Sequence, residues 1–393
     1  MIQFPKNLEN FLLAHVKRRF YRGTKREAFL DRPFGEEDLR FFAKGVAKLS
    51  DLFTVDRDAI APDYLNQPDL RAGYLLYFLP INYAKTRFVL DQIPRMFWER
   101  PSLRVLDLGA GPGSAALALL EIVRELRPQP KIDLTLVDQN ERALEDAAQI
   151  LAASGVSEKN LRVERIPSDL RRFRFSGKYD LILLSHCLNE WRQAKAPEKG
   201  EWLLGKLREH LAESGVMAIL EPALKRPTRE LMALRDHLLA EGDFSVLAPC
   251  LHERICPMLA ATHGDWCHFY VEWEEPEYLR RLDRLVKNEN RFLKVSYLLL
   301  GPKKYYESRL PRPPEIFRVV SNRMATKGKT ELVLCGPPGR IQLTRLDKDR
   351  SPANADLDQI RRGDLLNLAG APAKGFEVAR KRRLGKHERI KKL

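Results

Sequence analysis

The sequence predicts an α/β protein: a parallel sheet with helices on both faces, a helical region before it and a small β module after it. Three observations carry that prediction. From Leu103 onward short β-rich runs alternate with helix-length segments, the pattern of strands joined by crossover helices. The first of these strands ends in a glycine-rich turn, LGAGPGS, that opens a helix. Beyond Pro314, short strand-like runs return with glycine turns between them and no helix-length spacing.

The elements follow in order. Residues 1–98 read as helices. In LENFLLAHVKRRF, Leu8, Leu12, Val16 and Phe20, with Phe11, form one apolar stripe that packs on the main domain, while Lys17, Arg18 and Arg19 form the other side. The run AGYLLYFLPINYAKTRFVLDQIP divides into two helices at Pro80. RVLDLG, IDLTLVD, LRVERIPSDL, YDLILLSHCLNE and GVMAILEPA are then strands of an α/β domain with a cysteine-rich extension, spanning 99–310. PRPPE (311–315) is a stiff connector, and FRVVSNR, TELVLCG, RIQLTRL and GDLLNL build the β module of 311–370. The tail, 371–393, is expected to be disordered when free, being too charged to bury much.

At 393 residues the chain has ample material for a core, and its five cysteines, an odd number with no secretory leader read before them, argue for reduced thiols rather than a disulfide framework. No run of apolar residues is long enough to cross a membrane. The bacterial cytoplasm is the expected compartment, with the mitochondrial matrix as the alternative. Nothing in the sequence implies an obligate homo-oligomer. The formal charge is +15, and two segments concentrate it. Residues 371–393 hold nine Lys/Arg against two acids, and residues 303–329 hold eight against two. Two such runs in one third of the chain point to a polyanionic partner, nucleic acid.

In RVLDLGAGPGS, Asp107 sits at a strand end and is followed by Gly109, Gly111 and Gly113. Glycines permit positive φ and close approach of backbone to a ligand, and the helix behind them offers free N–H groups. Asp138 ends the next strand, placed to accept from ribose hydroxyls, and Asp169 follows the third strand within reach of an adenine amino group. Three carboxylates at successive strand ends suit a positively charged nucleoside better than a pyrophosphate. The loop resembles motif I of class I S-adenosylmethionine methyltransferases, whose Rossmann-like fold the resemblance implies for residues 100–225. SHCLNEW (185–191), where substrate-facing groups are often kept, lacks the Asn/Asp-Pro-Pro-aromatic signature of amino-group methylators. Cys187 reads as a small buried hydrophobe. His186, Asn189 and Glu190 line the pocket or merely end a strand, and the catalytic residue is unknown.

The four remaining cysteines are unevenly spaced. Five residues separate Cys250 from Cys256, ten separate Cys256 from Cys267, and 67 precede Cys335. Zinc accepts four cysteines, or three with one of His252, His263 or His268, but its usual short knuckles are missing. A larger cuboidal iron–sulfur cluster suits the looser spacing, and both metals remain open on spacing alone. A radical S-adenosylmethionine enzyme is unlike this chain, since its signature packs three cysteines into about eight residues.

In order, AGYLLYFLPINYAK, VLDLGAGPG, SHCLNE, APCLHERICP, DWCHF and LCGPPG resemble the bacterial and mitochondrial small-ribosomal-subunit methyltransferase-like assembly proteins, of methyltransferase-like-protein-seventeen type. The resemblance covers roughly 70–345. It implies a [4Fe-4S] cluster on Cys250, Cys256, Cys267 and Cys335 and association with small-subunit ribosomal RNA during ribosome assembly or translation, and it supplies no catalytic base to carry over. Active ribosomal RNA methylation is the alternative expectation, and a zinc-containing RNA-binding protein a further one.

Overall fold

The computed structural model describes all residues except 56–60, 62, 192, 193, 262 and 371–374. The chain forms two compact units, Met1–Glu190 with Val271–Leu293, and Trp191–Tyr270 with Lys294–Leu393. In the first unit a short strand β1 (Ile2–Gln3) precedes α1 (Lys6–Tyr21), α2 (Glu36–Thr54), α3 (Pro68–Gly73) and α4 (Leu79–Leu90). The stripe read in α1 is confirmed, with Leu8, Leu12 and Val16 buried. Lys17, expected on the solvated side, is also buried, because its ammonium donates to the Arg32 carbonyl at 2.6 Å and lies 3.8 Å from Asp38. The division expected at Pro80 is not found: residues 68–90 are helical throughout, as α3, a π turn (Tyr74–Phe78) and α4. Pro80 lies just after that turn, inside the continuous helical run, where the widened π turn is the local adjustment that takes in its ring and missing N–H.

The alternation follows as β2 (Ser102–Leu108), α5 (Ser114–Glu125), β3 (Lys131–Asp138), α6 (Glu141–Ala152), β4 (Leu161–Pro167) and β5 (Tyr179–Ser185). β2 lies between β5 and β3, and β4 borders β3, all parallel. The order reverses beside β2, which makes its carboxyl end the place where such sheets bind ligands.

The second unit contributes α7 (Ala196–His210), β6 (Leu211–Pro222), α8 (Lys225–Ala240), β7 (Phe244–Ala248) and α9 (Pro257–Ala261). The chain then runs through β8 (Phe269–Glu274), α10 (Glu277–Val286) and β9 (Phe292–Pro302). β9 is antiparallel to both β6 and β7. The first unit thus holds a parallel four with β2 inside, and β6, β9 and β7 of the second a three with one reversed central strand.

After α11 (Lys303–Tyr306) come β10 (Ile316–Val319), β11 (Met324–Thr326), β12 (Lys329–Gly336), β13 (Gly339–Leu346), β14 (Leu365–Leu368), β15 (Glu377–Arg383) and β16 (Ile390–Lys392). They form one sheet in the order β15-β13-β12-β10-β14-β16, with β11 beside β12. Its core is closed by Phe317, Leu332, Leu334, Ile341, Leu343 and Leu366 among others. Here the expectation of a disordered tail is overturned. β15 pairs with β13 and β16 with β14, while Leu384 and Ile390 enter the core. The charge that argued against order is offset locally, since Arg382 pairs with Glu388, Arg383 with Asp349 and Lys392 with Asp364. Lys374, counted in the basic tail, lies outside the described residues.

Candidate functional site

The first candidate site is the loop between β2 and α5. Gly109, Gly111 and Gly113 all have positive φ, which explains the residue type at each. Gly109 is constrained twice, because a Cβ there would come within 2.4 Å of the Cys187 Cβ. Cys187 is buried and donates its thiol to the Leu108 carbonyl at 3.2 Å, in keeping with a packing role. Gly113 lies against Ala147 of α6, so the start of α5 packs closely on that helix.

The three carboxylates differ in state. Asp107 is buried and its oxygens make no well-aligned hydrogen bond among the described residues. Burial, then the Asp138 charge, pushes its pKa up to about 7, with the Ala116 N–H opposing in part. Asp138 accepts from the Gly111 N–H and the Asn140 N–H, both at 2.8 Å, which pins the loop to the end of β3. Burial raises its pKa and those two N–H groups oppose the rise. Asp169 is committed elsewhere: it pairs with Arg171, which holds its carboxyl below the usual range. The Ser168 N–H donates to the Asp138 carbonyl at 3.0 Å, so the turn carrying Asp169 adjoins the same strand ends.

Sequence reasoning missed the cap over this loop. Tyr64 and Tyr74 are close enough to Glu190 and Asp138 for those charges to raise both phenols, after burial. Asn140 donates to the Asn66 side chain at 3.0 Å, joining the turn before α3 to the start of α6. The Tyr74 hydroxyl accepts from Asn82 at 3.2 Å, and Lys85 donates to the Asn82 carbonyl oxygen at 3.4 Å. Burial lowers Lys85 to about 8. A signal existed: Asn82 and Lys85 are polar residues inside an apolar run. His186, immediately after β5, has φ 61°, a conformation that costs a non-glycine residue energy. The geometry provides positive-φ backbone, helix N–H groups and two carboxylates, a combination suited to a nucleoside bearing positive charge.

The second candidate site lies wholly in the second unit. None of the five cysteines is in a disulfide. Cys250 follows β7, Cys256 leads into α9, Cys267 precedes β8, and Cys335 sits on β12 opposite Arg318 of β10. The four converge. Cys335 is raised first by burial and then by the charges of Cys250, Cys256 and Cys267. Burial and the Cys250 charge push Cys256 to about 12, and burial with Cys250 and Cys256 raises Cys267. Met232, Met258, Val320, Val333 and Trp266 form the apolar wall around them. Alternation along β12 explains the arrangement, for Leu332 and Leu334 enter the module core while Val333 and Cys335 face the thiols.

Positive charge surrounds this group. Arg235 of α8 is buried, donates to the His252 and Arg254 carbonyls at 2.6 Å each, and lies near Cys250 and Cys256. Arg318 and Arg362 lie near Cys267. His252 has its Nε2 3.5 Å from the Cys335 Sγ, and burial followed by Arg235 and Arg312 lowers it to about 3, so it is neutral. The Asp236 carboxylate accepts from the Cys256 N–H at 2.9 Å and fixes that turn. His268 is directed to the Trp266 carbonyl instead, at 3.2 Å. Among the described residues no three His, Cys, Asp or Glu side chains are arranged around a single metal ion. The donor set is one of four thiols with a neutral His252 beside them, ligand types that zinc and iron–sulfur clusters both take. The three guanidiniums oppose the negative charge that deprotonated thiols would carry here.

Fold and loop together define a class I S-adenosylmethionine methyltransferase-like protein. The mitochondrial small ribosomal subunit Rsm22 family matches residues 69–386, and the chain belongs to that family. Ribosomal RNA small subunit methyltransferase C of Serratia proteamaculans is 31% identical over 120 residues. That alignment spans 30% of this chain and 31% of that protein, less than a third of either. Among solved structures, a SAM-dependent methyltransferase of Leishmania major covers 71% of this chain and 91% of its own at 14% identity and TM-score 0.36. A SAM-dependent methyltransferase of Thiobacillus denitrificans, solved with S-adenosyl-L-homocysteine, covers 57% and 91% at 17% identity and TM-score 0.32. Among the described residues no helix is long and apolar enough to cross a membrane.

Proposed function

We propose that this chain binds S-adenosylmethionine at the β2–α5 loop, carries a [4Fe-4S] cluster on Cys250, Cys256, Cys267 and Cys335, and docks on small-subunit ribosomal RNA during ribosome assembly or translation. The observation that carries the reading is the nearness of four thiols, from stretches far apart in sequence, in one arginine-lined, partly buried apolar region. Asp138 and the turn of Asp169 hold the nucleoside, and Asp107 faces the cationic amino-acid end. When bound, S-adenosylmethionine supplies an electrophilic methyl group. The cluster ties β12 to the loops after β7 and before β8, and the compartment is a reducing one, the bacterial cytoplasm or the mitochondrial matrix. Anaerobic purification followed by iron, sulfide and zinc analysis tests this: about four irons and four sulfides per chain are expected. One zinc per chain would support the zinc reading, and no metal of either kind would refute the centre.

RNA contact is proposed for the β module. Lys381, Lys386, Arg389 and Lys391 are exposed and have no acidic partner within ion-pairing distance among the described residues. If about six cations meet phosphates, at ~0.7 released counterions each, the log–log salt slope is about −4. Affinity then falls by roughly a few hundred-fold between about 50 and 200 mM salt. Changing those four residues to glutamine is expected to bring the slope to about −1. An unaltered slope would move the RNA surface elsewhere.

A second reading, true ribosomal RNA methylation, is favoured by the strained His186 beside Cys187 and the loop. Transfer of labelled methyl to ribosomal RNA, lost in Asp138→Ala, supports it; cofactor and RNA binding without transfer supports the assembly role alone.

A further inference from the structure

The N-terminal helices hold a cleft that neither proposed site uses. It measures about 750 Å3 and is bordered by Phe20 of α1, Phe41 and Lys44 of α2, Pro68 and Asp69 of α3, and Arg26 of the intervening turn. Its depth comes from bare backbone. A Cβ on Gly45 would lie 2.2 Å from the Asp69 carbonyl oxygen, and one on Gly73 would lie 2.8 Å from the Gly45 carbonyl carbon. Only glycines let α2 and α3 cross so closely, and the flanking side chains splay into walls.

Those walls combine aromatic faces with uncommitted cations. Phe41 is 42% exposed, unusual for a ring of its size. The Arg26 guanidinium stacks 4.3 Å from the Phe41 centroid and lies 5.7 Å from Tyr21 and 5.8 Å from Phe29. Residues 17–48 contain ten Lys/Arg against five Asp/Glu, a net +5. In this segment Lys17 pairs with Asp38, Arg19 with Glu145, Arg40 with Glu36 and Lys48 with Asp69. Among the described residues Arg18, Arg22, Lys25, Arg26, Arg32 and Lys44 have no acidic partner. Glu37 also borders the cleft, so its mouth is not uniformly basic.

We propose that this cleft is a second nucleic-acid site, which receives an unpaired RNA nucleotide with its base stacked on the Phe41–Arg26 platform and its phosphate beside Lys44. Single-stranded nucleic acid is held by this pairing of aromatic or guanidinium planes with a basic track. A protein partner would meet the same rings but would leave the surplus cations unused. The inference rests on the RNA-binding reading, and the test separates the two.

The full-length protein is titrated into a short single-stranded RNA carrying 2-aminopurine, and into an RNA duplex of equal length. Wild type is expected to quench the fluorophore and to prefer the single strand. Phe41→Ala should lose the quenching and about tenfold in single-strand affinity, while duplex affinity stays unchanged. Phe41→Trp should keep both, which guards against a folding defect. Lys44→Glu should reduce the single-strand salt slope by about one. Wild-type affinity and quenching in Phe41→Ala would overturn the cleft site and leave the RNA reading standing. Equal losses on both RNAs would also overturn it, as would loss of a ribosomal protein partner with RNA affinity intact. Absence of any RNA binding by wild type would remove both.

Discussion

Cys335→Ser is expected to reduce iron from about four per chain to less than one, and to expose the connector 311–315 to protease while the β module stays folded. A serine hydroxyl is neutral near pH 7 and is not a soft ligand, so the centre loses one of its four anchors. Metal binding in such sites is part of the folding free energy, and its loss is expected to cost on the order of several kcal/mol. The module resists because its own core, from Phe317 to Ile390, lies on the other face of β12. Without metal, burial keeps the remaining thiols protonated, as the rise of Cys256 to about 12 indicates, so the second unit loosens rather than unfolds. Cys187→Ser is the control. Its side chain lies against Leu108 in the first unit, and its replacement is expected to leave iron unchanged. Full iron content in Cys335→Ser, or cleavage identical to wild type, would remove the centre.

S-adenosylmethionine affinity is expected to rise with pH, about tenfold per unit below pH 7, and to level off above it. Asp107 titrates at about 7, raised first by burial and then by Asp138, so much of it is protonated in the free protein at and below neutrality. A cationic ligand prefers the carboxylate form, and below the pKa its binding must displace a proton. Asp107→Asn should flatten this profile and weaken binding about 10- to 100-fold, the scale of one lost charge-assisted interaction. The ligand-free protein should show the opposite slope. The folded state keeps a proton on Asp107 that the unfolded chain, with its ordinary value of 3.8, has already released. Between about pH 4 and 7, therefore, Asp107 favours unfolding more as pH rises, and Asp107→Asn should remove that contribution. Calorimetric titrations from about pH 5 to 8 measure the first effect, and urea unfolding over the same range the second. A pH-independent affinity would remove Asp107 from the cationic end of the site.

Local periodicity and residue type determined a good deal of this molecule. The alternation after Leu103 specifies strands and crossover helices because side-chain spacing of two or 3.6 must match a buried face. Gly109, Gly111 and Gly113 announce positive φ, which the loop adopts at all three. The cysteines at 250, 256, 267 and 335 stand out by their concentration in a cysteine-poor chain, while their spacing leaves the kind of centre open. Tertiary structure decided the rest, where a residue's state depends on groups distant in sequence. Arg235, Arg318 and Arg362 carry no local mark that sets them beside thiols. Tyr64 and Lys85 read as core or surface until α3 and α4 fold over the cofactor loop. The tail reads as disordered because composition counts its charge but not the open edges of β13 and β14 that receive it. Periodicity is a property of a segment alone, whereas desolvation, pairing and strand addition depend on what packs against it.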